Sequence, residues 1–413
     1  MNPRAARDLL AGLLPSDAPV PGAVELWDGT RLAVGEPGAA PAFTVRVKRA
    51  SALDALLAEP SLGFGEAYVG GDIEVSGDLG AVLALAFRQD LASRLSLRQK
   101  ARAGWMRARR GRSVRQSRRD IESHYDRGND FYRLWLDDDM NYSCAYFRDE
   151  GDSLETAQKQ KNMYVLNKLR PRPGQRLLDV GCGWGALLRI AAEHHRLEAV
   201  GLTLSREQHA FARDRLAAAG LGGRTEVRLQ DYREVPPAED GTYDRIASVG
   251  MFEHVGRANL PVFFDRIAGL LKPGGILLLH TIGRVRPEPV DPWIEKHVFP
   301  GGYVPALGET VEAAARAGLE FLDLEDLRPH YDRTLGHWIG RFEAHAARIA
   351  DTMGGAFVRL WRLYLHGAQM AFRHGTLHLF QFVFSRGRVR GWPMTREWMT
   401  APGPPPAGGG ARG

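Results

Sequence analysis

The stretch "LLDVGCGWGALLRIAAEHH", residues 177–195, decides how this chain is read. An apolar run containing Asp179 ends at three glycines, Gly181, Gly183 and Gly185, which alternate with Cys182 and Trp184 before a helical pattern begins. A strand that stops at a glycine turn and opens a helix aims backbone N–H groups and the positive end of the helix dipole into a crevice. That predicts a nucleotide-type site. A nicotinamide or flavin fold would carry G-x-G-x-x-G, with an acidic residue about twenty positions on for the ribose hydroxyls. Neither is present.

The next strand ends in "AVGLTLSREQ", with Thr203, Ser205 and Gln208 where the acid should be. With Asp179 ahead of the turn, the pattern is the D-x-G-x-G-x-G of S-adenosylmethionine methyltransferases, although these too usually place an acid on the second strand. A glycine turn that only allows close packing of helix and strand is the alternative this motif leaves open.

Outward from the turn, "RLLDV", "EAVGL", "TEVRL", "YDRIASV", "GILLLHT", "LEFLDL" and "LHLFQFVF" alternate with helical patterns. The alternation predicts an α/β fold, a mostly parallel sheet covered by helices, with ligands at the carboxyl ends of its strands. Residues 1–92 mix short alternating strands such as "FTVRVKRA" with a helix-like run and predict a smaller amino-terminal α+β domain. The expected organisation is that domain, a basic linker or membrane-contact arm over 93–120, the main domain over 121–392, and a disordered tail over 393–413. Residues 284–303, rich in proline and aromatics, read as a lid or insertion.

The chain has 413 residues, of which 44% are hydrophobic and 25% charged, enough for a substantial core. No run of about eighteen apolar residues exists to span a bilayer, and the first residues lack an unbroken secretory stretch. A cytoplasmic protein is expected. Two cysteines, Cys144 and Cys182, fit a reducing compartment and exclude a disulfide framework or a cysteine zinc site; any metal role would fall to scattered histidines, and no metal ligand is assigned. The net charge of +6 is unevenly spread: from Arg94 to Arg119 there are eleven Lys or Arg and no acid. Such a block seeks an anionic partner, nucleic acid or acidic lipid, or is a solvated linker. Trp105 and Met106 at its centre, with Leu91, Leu95 and Leu97 before it, suit an interfacial helix.

The strand ends carry polar groups: Glu253 and His254 after "YDRIASVG", His280 and Ile282 in "LLLHTIG", and Tyr331 in "HYDRTLGHW". A single such residue is ordinarily a cap or a satisfied core histidine; together they suggest a polar pocket. Residues 124–147, "HYDRGNDFYRLWLDDDMNYSCAYF", supply the aromatic walls that a cationic sulfonium or intermediate needs, or form an ordinary amphipathic helix with core aromatics.

These residues closely resemble the cyclopropane fatty acid synthase family, relatives of the mycolic acid cyclopropane synthases. "HYDRGND", "MNYSCAYF", "LLDVGCGWGAL", "GLTLSREQ", "SVGMFEHVG", "LLHTIG", "DPWIEKHVFPGGYVP" and "AFRHGTLHLFQFVFSRG" carry the resemblance in order over roughly residues 115–390. It implies a Rossmann-like class I methyltransferase domain with a seven-stranded sheet, transferring a methylene carbon from S-adenosylmethionine to the cis double bond of acyl chains in membrane phospholipids. It assigns cofactor contacts to Tyr125, Tyr142, Ser143, Asp179, Gly181, Gly183, Gly185, Thr203, Ser205, Gln208, Asp231 and Tyr232. It also implies a bound bicarbonate base, held by Cys144, Glu253, His280, the Ile282 backbone N–H and Tyr331. Cys144 should stay a neutral thiol, because a thiolate beside a sulfonium would itself be methylated. Some members have a cysteine in the carboxy-terminal helix where this chain has Ala368, which excludes a nucleophilic role there. The basic arm points to an anionic bilayer surface at the inner face of the cell membrane as partner, a homodimer is left open, and nucleic acid is disfavoured because the chain shows no obvious RNA-binding module. Two rivals remain: a fatty acyl methyltransferase giving methyl- or methylene-branched chains, and an RNA methyltransferase using the basic arm.

Overall fold

The computed structural model describes residues 1–36, 38–88 and 128–401; the basic arm, Tyr125 and the last twelve residues lie outside them. The described chain forms two compact units, the first including residues up to 88, 291–300 and 338–374, the second the other described residues.

In the first unit, helix α1 (Pro3–Leu13) precedes strands β1 (Gly22–Glu25), β2 (Arg31–Val34) and β3 (Phe43–Val47), helices α2 (Ala50–Ala58) and α3 (Pro60–Gly70), strand β4 (Ile73–Gly77) and helix α4 (Leu79–Arg88). The sheet order is β2-β1-β3-β4. Leu10, Val24, Val34, Phe43, Leu53 and Ile73 form its core, as the alternating "FTVRV" pattern predicts.

The second unit opens with short helix α5 (Asn129–Arg133) and α6 (Leu154–Leu169), then alternates β5 (Arg176–Val180), α7 (Ala186–His195), β6 (Glu198–Thr203), α8 (Arg206–Ala218), β7 (Thr225–Leu229), β8 (Tyr243–Val249), α9 (Leu260–Leu270) and β9 (Leu271–Gly283). Helix α10 (Leu307–Arg316), strand β10 (Leu319–Asp326), helix α11 (Arg328–Ala344, in this unit through His337) and β11 (His378–Arg386) complete it. The seven strands lie in the order β10-β11-β9-β8-β5-β6-β7. Only β11 runs against the others, antiparallel to both β9 and β10. Every strand read from the sequence is present; β5, β6, β8, β9 and β11 are largely buried and read as near-continuous apolar runs, whereas β7 and β10 are partly exposed. Leu178 and Val180 of β5 meet Phe263, Phe264 and Ile267 of α9 on one face. Leu177 meets Leu166 and Leu169 of α6 and Leu188 of α7 on the other. The chain leaves β5 toward β6 and β7, then returns to start β8 on β5's other side, so the crevice opens at the carboxyl ends of β5 and β8.

Two stretches depart from the expected domains. Residues 291–300 and 338–374 fall within 121–392 but pack with the first unit. The helix Gly355–Arg373 buries Trp361, Leu363 and Leu365, and its Arg359 Nε donates to the Val69 carbonyl (2.9 Å). Trp293 sits against Gly65, where a Cβ would lie 2.1 Å from the indole, and Ser61 donates to Asp291 Oδ1 (2.7 Å). Apolar helix faces go where complementary surface exists, whatever their place in sequence. The segment read as a lid is thus held at its centre, while Tyr303 N–H donates to the Glu253 carbonyl (2.9 Å).

Residues 393–401, read as part of a disordered tail, are held in place. Asn167 Nδ2 donates to the carbonyls of Met399 (2.9 Å) and Ala401 (2.8 Å), Met399 is buried, and Arg170 lies over the Trp392 and Trp398 rings. Two tryptophans and a methionine bury apolar area that a disordered segment would leave in water. Among the described residues no helix is long and apolar enough to cross a membrane.

Candidate active site

The glycine turn is pinned to β6, the N–H groups of Gly181 and Cys182 both donating to the Leu202 carbonyl (3.0 and 2.9 Å). Gly181, Gly183 and Gly185 all have positive φ (89°, 53° and 82°), which glycine adopts without steric cost. Their surroundings separate their roles. A Cβ on Gly181 would lie 2.6 Å from Met251 Cβ and one on Gly185 3.1 Å from Ala212 Cβ, whereas one on Gly183 would meet no protein atom within 4 Å. The first and third glycines serve packing, and the middle one borders open space ahead of α7. Gly185, the N-cap of α7, offers its first N–H groups no side-chain partner.

At the end of β6, Thr203 Oγ1 donates to Gln208 Oε1 (2.9 Å), and Ser205 caps α8 by accepting from Gln208 N–H (3.3 Å). Hydroxyl and amide groups thus stand where an acid would grip ribose hydroxyls. Between them Leu204 is 70% exposed, an apolar surface suited to a flat ring; a large aliphatic residue just past a strand end was the signal for it. Asp231 caps the turn after β7 and is paired with Arg233, whose hydrogen bonds hold the carboxyl below its usual range. Tyr232 is a core residue instead of a polar contact, its ring edge-on to Phe263.

The aromatic wall is assembled from two segments. Tyr132 lies 5.2 Å from Trp184 of the glycine turn and 5.5 Å from Tyr142, which meets Trp135 edge-on. Trp184 Nε1 donates to Asn129 Oδ1 (2.7 Å). Behind it lies a buried polar group that sequence reasoning missed. Lys161 Nζ, fully buried, donates to Ser143 Oγ (3.0 Å) and Asn141 Oδ1 (3.3 Å), and burial pushes its pKa down to about 8. Burial pushes Asp179 up to about 7, and Asp179 Oδ1 has no partner among the described residues.

Glu253 and His280 come together at the carboxyl ends of β8 and β9. His280 pairs with Val249, the Gly250 N–H donates to the His280 carbonyl (2.9 Å), and Glu253 follows in the next turn. The Ile282 N–H, expected to face an anion, donates to Glu253 Oε1 (2.6 Å), since a buried amide takes the nearest carboxylate. Glu253 Oε2 and His280 Nε2 are both buried with no partner among the described residues. Desolvation raises the Glu253 pKa to about 7 and carries that of His280 well below the usual histidine range, so the ring is neutral. Cys144 is fully buried, its thiol donating to the Ala145 carbonyl (3.2 Å), and burial raises it far enough to keep it protonated. Ala145 N–H donates to Thr334 Oγ1 (3.0 Å), and buried Tyr331 is one turn earlier on the same helix. The Lys161 ammonium opposes the burial-driven rise at Cys144 and Asp179 and adds to the fall at His280.

Residues 112–382 match the family of mycolic acid cyclopropane synthetases. The chain belongs to that family and is an S-adenosylmethionine-dependent methyltransferase. Residues 10–95 match a domain family of unknown function. The chain is 37% identical to the cyclopropane-fatty-acyl-phospholipid synthase of Escherichia coli, covering 89% of this chain and 94% of that protein. It is equally similar, 37% over 91% of this chain and 95% of the other, to a probable fatty acid methyltransferase of Pseudomonas putida. A crystal structure of the mycolic acid cyclopropane synthase CmaA1 complexed with SAH and CTAB superposes with a TM-score of 0.61 at 33% identity, covering 66% of this chain and 99% of that one.

Proposed function

We propose that this enzyme is a cyclopropane fatty acid synthase acting on unsaturated acyl chains of membrane phospholipids. The observation that carries the reading is the pair of buried, unpartnered polar atoms, Glu253 Oε2 and His280 Nε2, beside a methyl-donor site. An alkene is a poor nucleophile, so a dry aromatic slot that holds it against the sulfonium methyl supplies most of the help. The π electrons form the new C–C bond as the S–CH3 bond breaks, leaving a carbocation that aromatic faces such as Tyr142 and Trp135 stabilise. Loss of a proton from the added methyl lets the freed electron pair close the ring. A bicarbonate ion suits the pocket: Glu253 would accept its O–H, His280 and Tyr331 would orient it, and it would supply the base. A carboxylate base of the chain itself would be open to alkylation by the cation, whereas a bound ion can be replaced. On the cofactor side the reading uses Tyr142, Ser143, Asp179, the glycine turn, Thr203, Gln208 and Leu204, with Ser205 and Asp231 as caps that shape the loops.

The test is mass spectrometry of phospholipid fatty acids from cells expressing the protein. A monounsaturated chain should gain the mass of one CH2 and resist mild hydrogenation. An open-chain methyl or methylene branch would make the branched-chain methyltransferase reading correct, and label transferred to RNA but not to lipid would overturn both.

The basic arm supports a peripheral position on the inner face of the cell membrane, each cation near an anionic surface contributing on the order of 1 kcal/mol. Replacing Arg107, Arg109, Arg110 and Arg112 together by Gln should weaken sedimentation with anionic vesicles at least about tenfold and flatten its salt dependence. Equal binding of both proteins to neutral and anionic vesicles would refute this role.

A further inference from the structure

We propose that Gln381, oriented by Lys168, is a positioning residue that keeps the proton of His280 on Nε2. His280 Nδ1 lies 3.0 Å from the Gln381 amide nitrogen, and Gln381 Oε1 lies 2.8 Å from Lys168 Nζ. A lysine amine in this setting only donates, so it fixes which end of the amide faces it. The oxygen must turn to Lys168 and the NH2 group to the histidine. Nδ1 therefore accepts, and a neutral ring whose Nδ1 accepts carries its proton on Nε2.

The chain of contacts is anchored at its far end. Lys168 is fully buried and paired with Glu325 (2.5 Å), which also accepts from Tyr164 O–H (2.7 Å), and the ammonium lies 4.3 Å from the Tyr164 ring centre. Gln381 and His280 are also buried, so no water competes for the amide's orientation. The Nε2 atom that ends this chain is the one without a protein partner. It presents an N–H donor to the pocket, which suits an anionic oxygen; the other tautomer would present a lone pair and repel one. This inference rests on the reading of the pocket as an anion site, but the tautomer is measured separately.

The full-length protein is labelled with 15N-histidine and the ring protons are placed by long-range 15N–1H correlation, the His280 signals being assigned by their loss in His280→Gln. The expected result is a protonated Nε2 and a bare Nδ1 throughout the neutral range. In Gln381→Glu the new carboxylate accepts from Nδ1–H, so the two nitrogens exchange character. The kcat for product falls roughly 10- to 100-fold, as for other groups that orient a histidine, while KM for S-adenosylmethionine stays at the wild-type value. Gln381→Met, which adds no buried charge, should give mixed tautomers and an intermediate kcat. A wild-type His280 protonated on Nδ1, or folded variants that keep both tautomer and kcat, would overturn the proposal. The expected tautomer in an enzyme whose turnover ignores added bicarbonate would support this assignment while sinking the anion reading itself.

Discussion

Glu253→Gln is expected to bind S-adenosylmethionine as the wild type does and yet form cyclopropane roughly 10² to 10⁴ times more slowly, the range for loss of a positioned acid–base group. The substitution preserves shape and leaves an oxygen to accept from the Ile282 N–H. It removes the charge that Oε2, unpartnered among the described residues, would direct at a bicarbonate O–H. The proton is lost after methyl transfer, so the defect belongs in kcat for product and not in donor affinity.

A pH signature accompanies it. Burial raises the Glu253 pKa to about 7, so at constant bicarbonate concentration wild-type kcat/KM should climb with pH through that value and level off above it. The Gln variant should lack this limb. Stability moves the opposite way: between the ordinary carboxyl value of 4.5 and about 7 the folded chain holds a proton that the unfolded chain has released. This group's contribution therefore weakens as pH rises through that window, and above it the Gln variant should melt no lower than wild type. Calorimetric titration with S-adenosylmethionine, product analysis and melting curves check the three statements. A variant with wild-type turnover, or one that loses donor affinity in proportion to turnover, would remove Glu253 from its assigned role.

Gly183→Val should reduce S-adenosylmethionine affinity by at least about 100-fold, close to 3 kcal/mol. Two effects add. A φ of 53° strains a β-branched residue by roughly 1–2 kcal/mol, and the isopropyl group fills space that borders no protein atom and that the cofactor would occupy. Gly183→Ala, with strain and a single methyl, should lose about tenfold. Gly181→Ala is the contrast: its Cβ would press on Met251, so its effect should appear first as a lower melting temperature. Titration calorimetry on the folded variants measures all three, and unchanged affinity in Gly183→Val would move the cofactor away from the turn.

Much of the fold was legible because its signals are local. Strands β5, β6, β8, β9 and β11 stand in the sequence as near-continuous apolar runs because they are largely buried, and the partly exposed β7 and β10 continue the alternation with helical patterns. The glycine turn, the absent acid on β6, and Glu253 and His280 at strand ends were legible for the same reason, since each depends on position within one strand–turn unit.

The groups behind the site were not. Helix α6 reads "LETAQKQKNMYVLNKL", which looks like a solvated surface, yet Gln158, Lys161, Asn162 and Lys168 on it are buried. Their partners come from distant chain: Lys168 meets Gln381 213 residues away, and Gln381 meets His280 across 101. A buried cation is stable only when such partners surround it, and nothing local announces them.

The sequence by itself determined the α/β sheet, the glycine turn and the residue types at the strand ends, because hydrophobic period and backbone conformation act within a few residues. Only the tertiary structure decided the rest. It sent residues 291–300 and 338–374 to the amino-terminal unit, tied down the chain as far as Ala401, gave the Ile282 N–H to Glu253, and surrounded Lys161 and Lys168 with acceptors. Each of those outcomes depends on which surfaces and polar atoms meet once the sheet has closed, and burial, not spacing along the chain, sets their energies.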